Sequence, residues 1–278
     1  MSLIQSFWSE PAKWHRWGIG KQLEANLWIA ALSCVYAKKI GALLIMHTDD
    51  FGKELLKHLP YTDLRLTLNQ IPKDTPPGQW AISKMYAQMN SKLGDIHIDN
   101  DVFIKKKSLY DSMCNSKYDL IVQSIEKTNG HLYKHPCGIL KEIPNLPMDL
   151  DFPLAYNCGV VGFKDHQLKE KYLSDYFKFY DIVTKNPKVL DLMHSNTHYT
   201  LELLIEQQHL FEVSSNNHVL AVLLDKSNAD NLGYQHLLGG AKYALINKVK
   251  EVLKKLAPDI YEKTKQIIEA YVKKDSTT

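Results

Sequence analysis

Apolar positions recur along this chain with two different periods. Between residues 21 and 40, Leu23, Leu27, Ala30, Ala31, Cys34 and Val35 return at helical spacing, which aligns them on one face. Gly41 closes that segment, as a residue able to leave helical geometry does. Ala42-Leu43-Leu44-Ile45-Met46 follows without a polar break, which predicts a strand covered on both faces. A first strand is predicted over residues 2–8, ended by Ser9-Glu10-Pro11, and an alternating one over 64–68. Residues 51–58 and 80–93 read as helices, the second with Ile82, Met85, Met89 and Leu93 on one face. Strand and helix therefore alternate up to Asp101, the order of a nucleotide-binding α/β half.

Beyond Ile104 the pattern loosens. Residues 118–124 read as a strand. Residues 130–151, rich in Pro, His and Gly, read as an extended loop region, and a loop of that length is often functional. Residues 155–163 form a strand of small residues centred on Gly159. A glycine there marks close approach by a ligand or by another backbone. A helix over 168–183 carries Tyr172, Tyr176, Phe179 and Tyr180, a stripe expected in the core. A helix over 197–211 carries Glu202, Glu206, Gln207 and Gln208; a buried Glu there would be a catalytic candidate, an exposed one a good helix former. A strand is predicted over 219–224. Residues 243–272 read as a Lys-rich amphipathic tail, split near Pro258, that packs by its Leu, Ile and Val face. No internal repeat is present.

Composition narrows the classes. With 278 residues, 45% of them hydrophobic, the chain is long enough for one large α/β domain with a helical appendage: residues 1–243 and 244–278. The net charge is +3 and the pI near 8.4, so no nucleic-acid partner is expected despite Lys105-Lys106-Lys107. Cys34, Cys114, Cys137 and Cys158 form no CxxC pair, which argues against a zinc site or disulfide framework. The most apolar run, residues 27–36, is too short to span a bilayer, and the N-terminus lacks the pattern of a signal peptide. A cytoplasmic protein with no transmembrane segment is expected. The tail leaves room for weak peripheral membrane contact.

Candidate chemistry centres on residues 95–104, where apolar, strand-forming residues flank Asp99 and Asp101. The two carboxylates face one way if the strand continues and converge if the chain turns at Asn100. Buried together they need a positive partner. A divalent cation such as Mn2+ or Mg2+, with a diphosphate completing its coordination, supplies one; a solvated Asp-Asn-Asp turn is the alternative. His236 is a possible third ligand, Gly239 and Gly240 would let backbone approach phosphate, and Lys242 would neutralise it. Thr48 and Asp49 follow the second strand, where ligands of open α/β sheets bind. Asp49 or Asp50 would otherwise cap the next helix, and Asp50 is expected to do so. Trp8, Trp14 and Trp17, in a loop with His15, Arg16, Gly18 and Gly20, would stack a nucleotide base or pack the loop.

Four stretches in this order resemble a GT-A glycosyltransferase, in particular glycosyltransferase family 8. They are Ser83-Lys84-Met85-Tyr86, His97-Ile98-Asp99-Asn100-Asp101-Val102, Tyr156-Asn157-Cys158-Gly159-Val160 and His236-Leu237-Leu238-Gly239-Gly240-Ala241-Lys242. They look like that family's basic helix residue, Asp-x-Asp strand, Asn-x-Gly acceptor-side strand and late His-x-x-Gly-x-x-Lys motif, and span about residues 80 to 243. His97 stands where an aromatic residue is usual, Lys84 where Arg is more frequent, and Phe7-Trp8-Ser9-Glu10 replaces an Asp-x-Asn-Tyr base-binding signature. Glu206-Gln207-Gln208 lacks a second acid. The resemblance is therefore to a divergent bacterial branch of the superfamily.

The resemblance implies a GT-A fold, a mixed, mostly parallel sheet flanked by helices, with the tail added. It implies a hexosyltransferase-type enzyme that moves sugar from a nucleotide-diphosphate donor to a glycan or other hydroxyl acceptor, as in polysaccharide assembly. Asp99, Asp101 and His236 would hold Mn2+ or Mg2+. Trp8, Ser9, Thr48, Asp49, Lys84, Asp99, Asn100, Gly239, Gly240 and Lys242 would bind the donor. Asn157, Cys158 and Gly159 would lie on the acceptor side, and Gln207 and Glu206 would be catalytic, Gln207 in a retaining reaction or Glu206 as base in an inverting one. A nucleotidyltransferase, or a non-catalytic nucleotide- or glycan-binding module on the same fold, is the competing expectation.

Overall fold

A computed structural model describes residues 1–13, 19–76, 79–187, 189, 201–215, 220–222 and 229–271. Trp14, His15, Arg16, Trp17 and Gly18 lie outside the described residues. The fold is mixed α/β. Its described strands are β1 (Leu3–Phe7), β2 (Leu44–Thr48), β3 (Asp63–Arg65), β4 (Ile96–Ile98), β5 (Val102–Ile104), β6 (Leu120–Lys127), β7 (Leu154–Phe163), β8 (Leu220–Val222) and β9 (Tyr234–His236). The helices used below are α1 (Glu10–Lys13), α2 (Ile19–Lys39), α3 (Asp50–Leu56), α4 (Ile82–Met89), α5 (Lys107–Cys114), α6 (His131–Leu140) and α7 (His166–Thr184). No helix among the described residues is long and apolar enough to cross a membrane. The chain divides into two compact units. One comprises Met1–Gln70, Ile98–Asn115 and Lys226–Thr278; the other comprises Ile71–His97 and Ser116–Asp225.

In the first unit, β1, β2 and β3 run parallel in the order β3-β2-β1. Helix α2 ends where the sequence predicts. Gly41 takes φ +72°, its amide donates to the Lys38 carbonyl at 3.1 Å, and the Ala42 amide donates to Ala37 at 3.0 Å. That paired closure needs a left-handed residue, which glycine supplies without a Cβ clash. It also moves the strand: Leu43 is half exposed, and β2 runs from Leu44 to Thr48 rather than over 42–46. The strand predicted over 64–68 stops at Arg65. Thr67 leaves it to meet His47 Nδ1 at 2.9 Å, opening a 3-10 turn over Thr67–Gln70.

The cap expected of Asp50 falls to Asp49. Asp49 is extended, its Oδ1 accepts from the Gly52 amide at 2.7 Å, and Asp50 is the first residue of α3. The C-terminal helices Ile246–Leu256 and Pro258–Tyr271 belong to this unit and pack on α2. Leu253 and Thr264 are buried, Trp28 stacks on Tyr261 with centroids 5.0 Å apart, and Lys250 Nζ reaches Glu24 Oε1 at 2.7 Å.

In the second unit the strand order is β4-β7-β6-β8. β6 is antiparallel to β7, with a bulge between Val122 and Ser124, and parallel to β8. Asp165 caps α7, its Oδ1 accepting from the Leu168 amide at 2.7 Å. Tyr172, Tyr176 and Phe179 are buried, so the aromatic stripe is core as predicted. Two expectations change. The loop predicted over 130–151 contains α6, which tolerates Pro136 at the loss of one backbone bond. Met89 and Leu93 are exposed, because α4 ends at Met89 and Leu93 lies beyond its capping turn. A backbone-close glycine of β7 is Gly162, where a Cβ would lie 2.9 Å from Ile96 Cγ1.

Gly52 is the tightest backbone position in the first unit. A Cβ there would lie 2.1 Å from Thr48 Oγ1 and 2.9 Å from Phe7 Cδ1, and Thr48 Oγ1 is already committed to the Phe7 carbonyl at 2.7 Å. We expect Gly52→Ala to destabilise the protein by about 1–3 kcal/mol, the usual cost of overpacking. Urea unfolding measures it, and unchanged stability would mean that Thr48 swings aside at no cost.

Candidate metal centre

The Asp-x-Asp segment is a turn, not a continuing strand. The Val102 amide donates to the Asp99 carbonyl at 3.0 Å, and the chain reverses through Asn100 and Asp101. Three bonds hold the turn. Gln5 Nε2 donates to the Asp99 carbonyl at 3.3 Å, Asn100 Nδ2 donates to the Ser6 carbonyl at 2.8 Å, and Ser33 Oγ donates to the Val102 carbonyl at 2.8 Å. β5 then pairs antiparallel with β9, setting Val102 opposite His236, and the Leu237 amide donates to the Asp101 carbonyl at 3.0 Å. This ribbon delivers His236 to the turn. Gly239, with φ +53°, and Gly240 lead into the short helix Ala241–Ala244, which carries Lys242.

Four side chains converge there. His236 Nε2 lies 3.3 Å from Asp101 Oδ1 and 4.0 Å from Asp99 Oδ2, and Lys242 Nζ lies 2.7 Å from Asp101 Oδ2. Asp101 is buried. Burial pushes its carboxyl up, but the Lys242 ammonium and the His236 hydrogen bond outweigh it and hold the carboxyl below the ordinary range. Burial opposes the charge on Lys242 as well; Asp101 outweighs that and holds the ammonium above its usual pKa.

Asp99, Asp101 and His236 can each present a ligand atom within 4.8 Å of the others. Two hard carboxylates and one imidazole suit Mn2+ or Mg2+ and leave coordination positions for other oxygens. Beside them, Asn100 Oδ1 is buried with no hydrogen-bond partner among the described residues. The residues present therefore fit a divalent ion.

The other predicted donor-binding, acceptor-side and catalytic residues divide. Trp8, half-buried, and Ser9, Thr48 and Asp49, all buried, sit at the ends of β1 and β2 in the first unit. Asp49 Oδ2 accepts from the Ser9 amide at 2.8 Å while Oδ1 caps α3. Thr48 and Asp49 are thus bonded within the scaffold. Lys84, Asn157, Cys158, Gly159, Glu206 and Gln207 belong to the second unit and form a cluster of their own. Lys84 Nζ lies 2.6 Å from Glu206 Oε1 and 5.0 Å from the Trp80 ring centroid. Asn157 Nδ2 donates to Glu126 Oε1 at 2.8 Å, and Asn157 Oδ1 accepts from the Gly159 amide at 3.0 Å.

Glu206, Gln207 and Gln208 are consecutive and all buried, in a π-helical turn over Leu204–Gln208. Such turns concentrate at functional sites. Here the Glu206 carbonyl accepts from Tyr172 Oη at 2.9 Å and Cys158 Sγ at 3.5 Å. Gln207 Oε1 accepts from Tyr133 Oη at 2.8 Å, and Gln208 Nε2 donates to the carbonyls of Asp149, Leu150 and Phe152. Sequence reasoning missed Tyr133 and Glu126 and named Glu202 only as a candidate if buried. Glu202 is buried, its Oε2 accepts from Tyr176 Oη at 2.8 Å, and burial with the neighbouring Glu206 pushes its carboxyl from 4.5 to about 8. Tyrosine rather than phenylalanine at 172 and 176 was the available signal, since a buried hydroxyl needs a partner.

The chain belongs to a family of unknown function, DUF6734, whose model matches residues 1–267. No curated protein matches it.

Glu202 carries a pH dependence. Its folded value lies above its unfolded one, so its contribution to stability is fully present below about pH 4.5 and is lost as pH rises through about 8. Glu202→Gln keeps an acceptor for Tyr176 and cannot ionise. We expect the melting temperature of the wild type to fall relative to Glu202→Gln between pH 5 and pH 8. Parallel pH profiles in differential scanning calorimetry would contradict the assignment.

Proposed function

We propose that the chain is a metal-dependent glycosyltransferase of hexosyltransferase type, with a GT-A fold related to glycosyltransferase family 8. It would move a sugar from a nucleotide-diphosphate donor to a glycan or other hydroxyl acceptor. One observation carries the reading. Asp99, Asp101, His236 and Lys242, from separate stretches of chain, meet at one point in the first unit. In the resemblance these same positions supply the metal ligands and the phosphate-binding lysine.

Each residue has a part in that chemistry. Asp99, Asp101 and His236 would hold Mn2+ or Mg2+, which when bound stabilises negative charge developing on a diphosphate leaving group. Gly239 and Gly240 bring backbone close to the same oxygens, and Lys242 adds a positive charge. Asn100 Oδ1 offers an acceptor to a donor hydroxyl. Asp49 and Thr48 act one step back, holding the ends of β1 and β2. The reading rests on the first unit alone; Lys84, Glu206 and Gln207 belong to the second.

Thermal unfolding tests it. With Mn2+ present, one member of a nucleotide-sugar panel should raise the melting temperature, by about 3 kcal/mol of stabilisation at a hundredfold excess over its dissociation constant. Chelator or Asp101→Ala should abolish the shift and donor turnover, with the circular dichroism of the variant unchanged. Turnover that survives Asp101→Ala, or a panel with no shift in any metal condition, would sink the proposal. Pyrophosphate release from a nucleoside triphosphate would replace it with nucleotidyl transfer.

A further inference from the structure

Asp101 has two oxygens, and both are occupied: Oδ1 faces His236 Nε2 at 3.3 Å and Oδ2 meets Lys242 Nζ at 2.7 Å. A divalent ion held by Asp99, Asp101 and His236 must displace the Lys242 ammonium from Asp101 or share the carboxylate with it. Sharing would stand two cations a few ångströms apart beside a buried group, where screening by water is weak, and displacement would cost Asp101 its lysine partner. The carboxylates are fixed by the backbone of the turn. Lys242 is not fixed in the same way. Its side chain is 32% exposed against 7% for Asp101, and it follows Gly239 and Gly240 on a one-turn helix.

We propose that Lys242 is the resident counter-ion of this centre, and that it opposes divalent-metal binding until a diphosphate gives the ammonium another partner. This rests on reading Asp99, Asp101 and His236 as metal ligands. The protein alone then holds metal weakly. Metal and diphosphate bind as a couple, because each removes what keeps the other out. The metal neutralises carboxylates that would repel phosphate, and phosphate draws off the lysine that repels the metal. Lys242 thereby sets which ligands the centre accepts. A neutral ligand lacking phosphate charge, such as a free nucleoside or sugar, does not release it.

The test uses the full chain, Mn2+, and methylenediphosphonate as a diphosphate that does not hydrolyse. Free Mn2+ is followed by its electron paramagnetic resonance signal, with a protein-free blank to account for the Mn2+–diphosphonate complex. Lys242→Met should bind Mn2+ about tenfold more tightly than the wild type, the weight of one charge-assisted hydrogen bond between partly buried groups. Lys242→Gln keeps an uncharged donor to Asp101 and should behave alike, so loss of stability in the Met variant does not decide the result. Diphosphonate should tighten Mn2+ binding more in the wild type than in either variant, where only the repulsion between carboxylates and phosphate is left to relieve. Equal or weaker Mn2+ binding in both variants, with binding still lost in Asp101→Asn, overturns the inference and leaves the metal centre standing. No saturable Mn2+ binding in wild type or variants, or binding indifferent to Asp101→Asn, overturns both.

Discussion

A buried carboxylate has to be neutralised, and in the first unit that carboxylate is Asp101. An isolated charge removed from water costs several kcal/mol even after relaxation. Asp101 meets that cost with a lysine on one oxygen and an imidazole nitrogen near the other. Much of the local architecture follows. The turn at Asn100 brings Asp101 out of line with β4, the pairing of β5 with β9 fixes His236 beside it, and the glycines after β9 let a short helix start where Lys242 can reach. Without the ribbon there is no His236 at the site, and without the turn the two carboxylates would stand on a continuing strand.

The second unit solves the same problem by different means. Glu206 is neutralised by Lys84, while Glu202, one helical turn away, is held in its protonated form by burial and bonded to Tyr176. A single cation cannot serve two neighbouring buried carboxylates, so one of them gives up its charge. The π turn over Leu204–Gln208 is the backbone counterpart. It directs Glu206, Gln207 and Gln208 inward in succession and leaves the Glu206 carbonyl to Tyr172 and Cys158.

What the sequence disclosed follows from the range of its signals. Periodicity located α2, α7, β7 and the split tail because each is long enough for a face or an uninterrupted run to stand out. Asp99 and Asp101 stood out through the apolar residues that flank them, and His236 joined them through motif order, since a lone histidine is ordinarily a surface residue. The end of α3 was misassigned by one position because Asp49 and Asp50 are both good caps, and only the backbone angle at Asp49 separates them. Helix α6 was hidden by Pro136 and by Gly130 and Gly138, before and within it, which mimic a loop. The burial of Glu202, hinted at only by the tyrosines at 172 and 176, and the Tyr133–Gln207 bond were harder to reach. Their character comes from burial by segments distant in sequence, and no local pattern encodes that.

The two lysine–carboxylate pairs also show why burial, rather than distance, separates a structural ion pair from an exchangeable one. Lys84 to Glu206 and Lys242 to Asp101 differ by only 0.1 Å in length (2.6 against 2.7 Å). Lys84 is 9% exposed and Glu206 1%; parting them would strand both charges away from water, which costs about 3–5 kcal/mol. Lys242 is 32% exposed along its side chain, so although burial weighs on its ammonium it has a path toward water that Lys84 lacks. The first pair is therefore part of the scaffold of its unit. The second is the less confined of the two, and it lies where, among the described residues, two carboxylates and an imidazole meet.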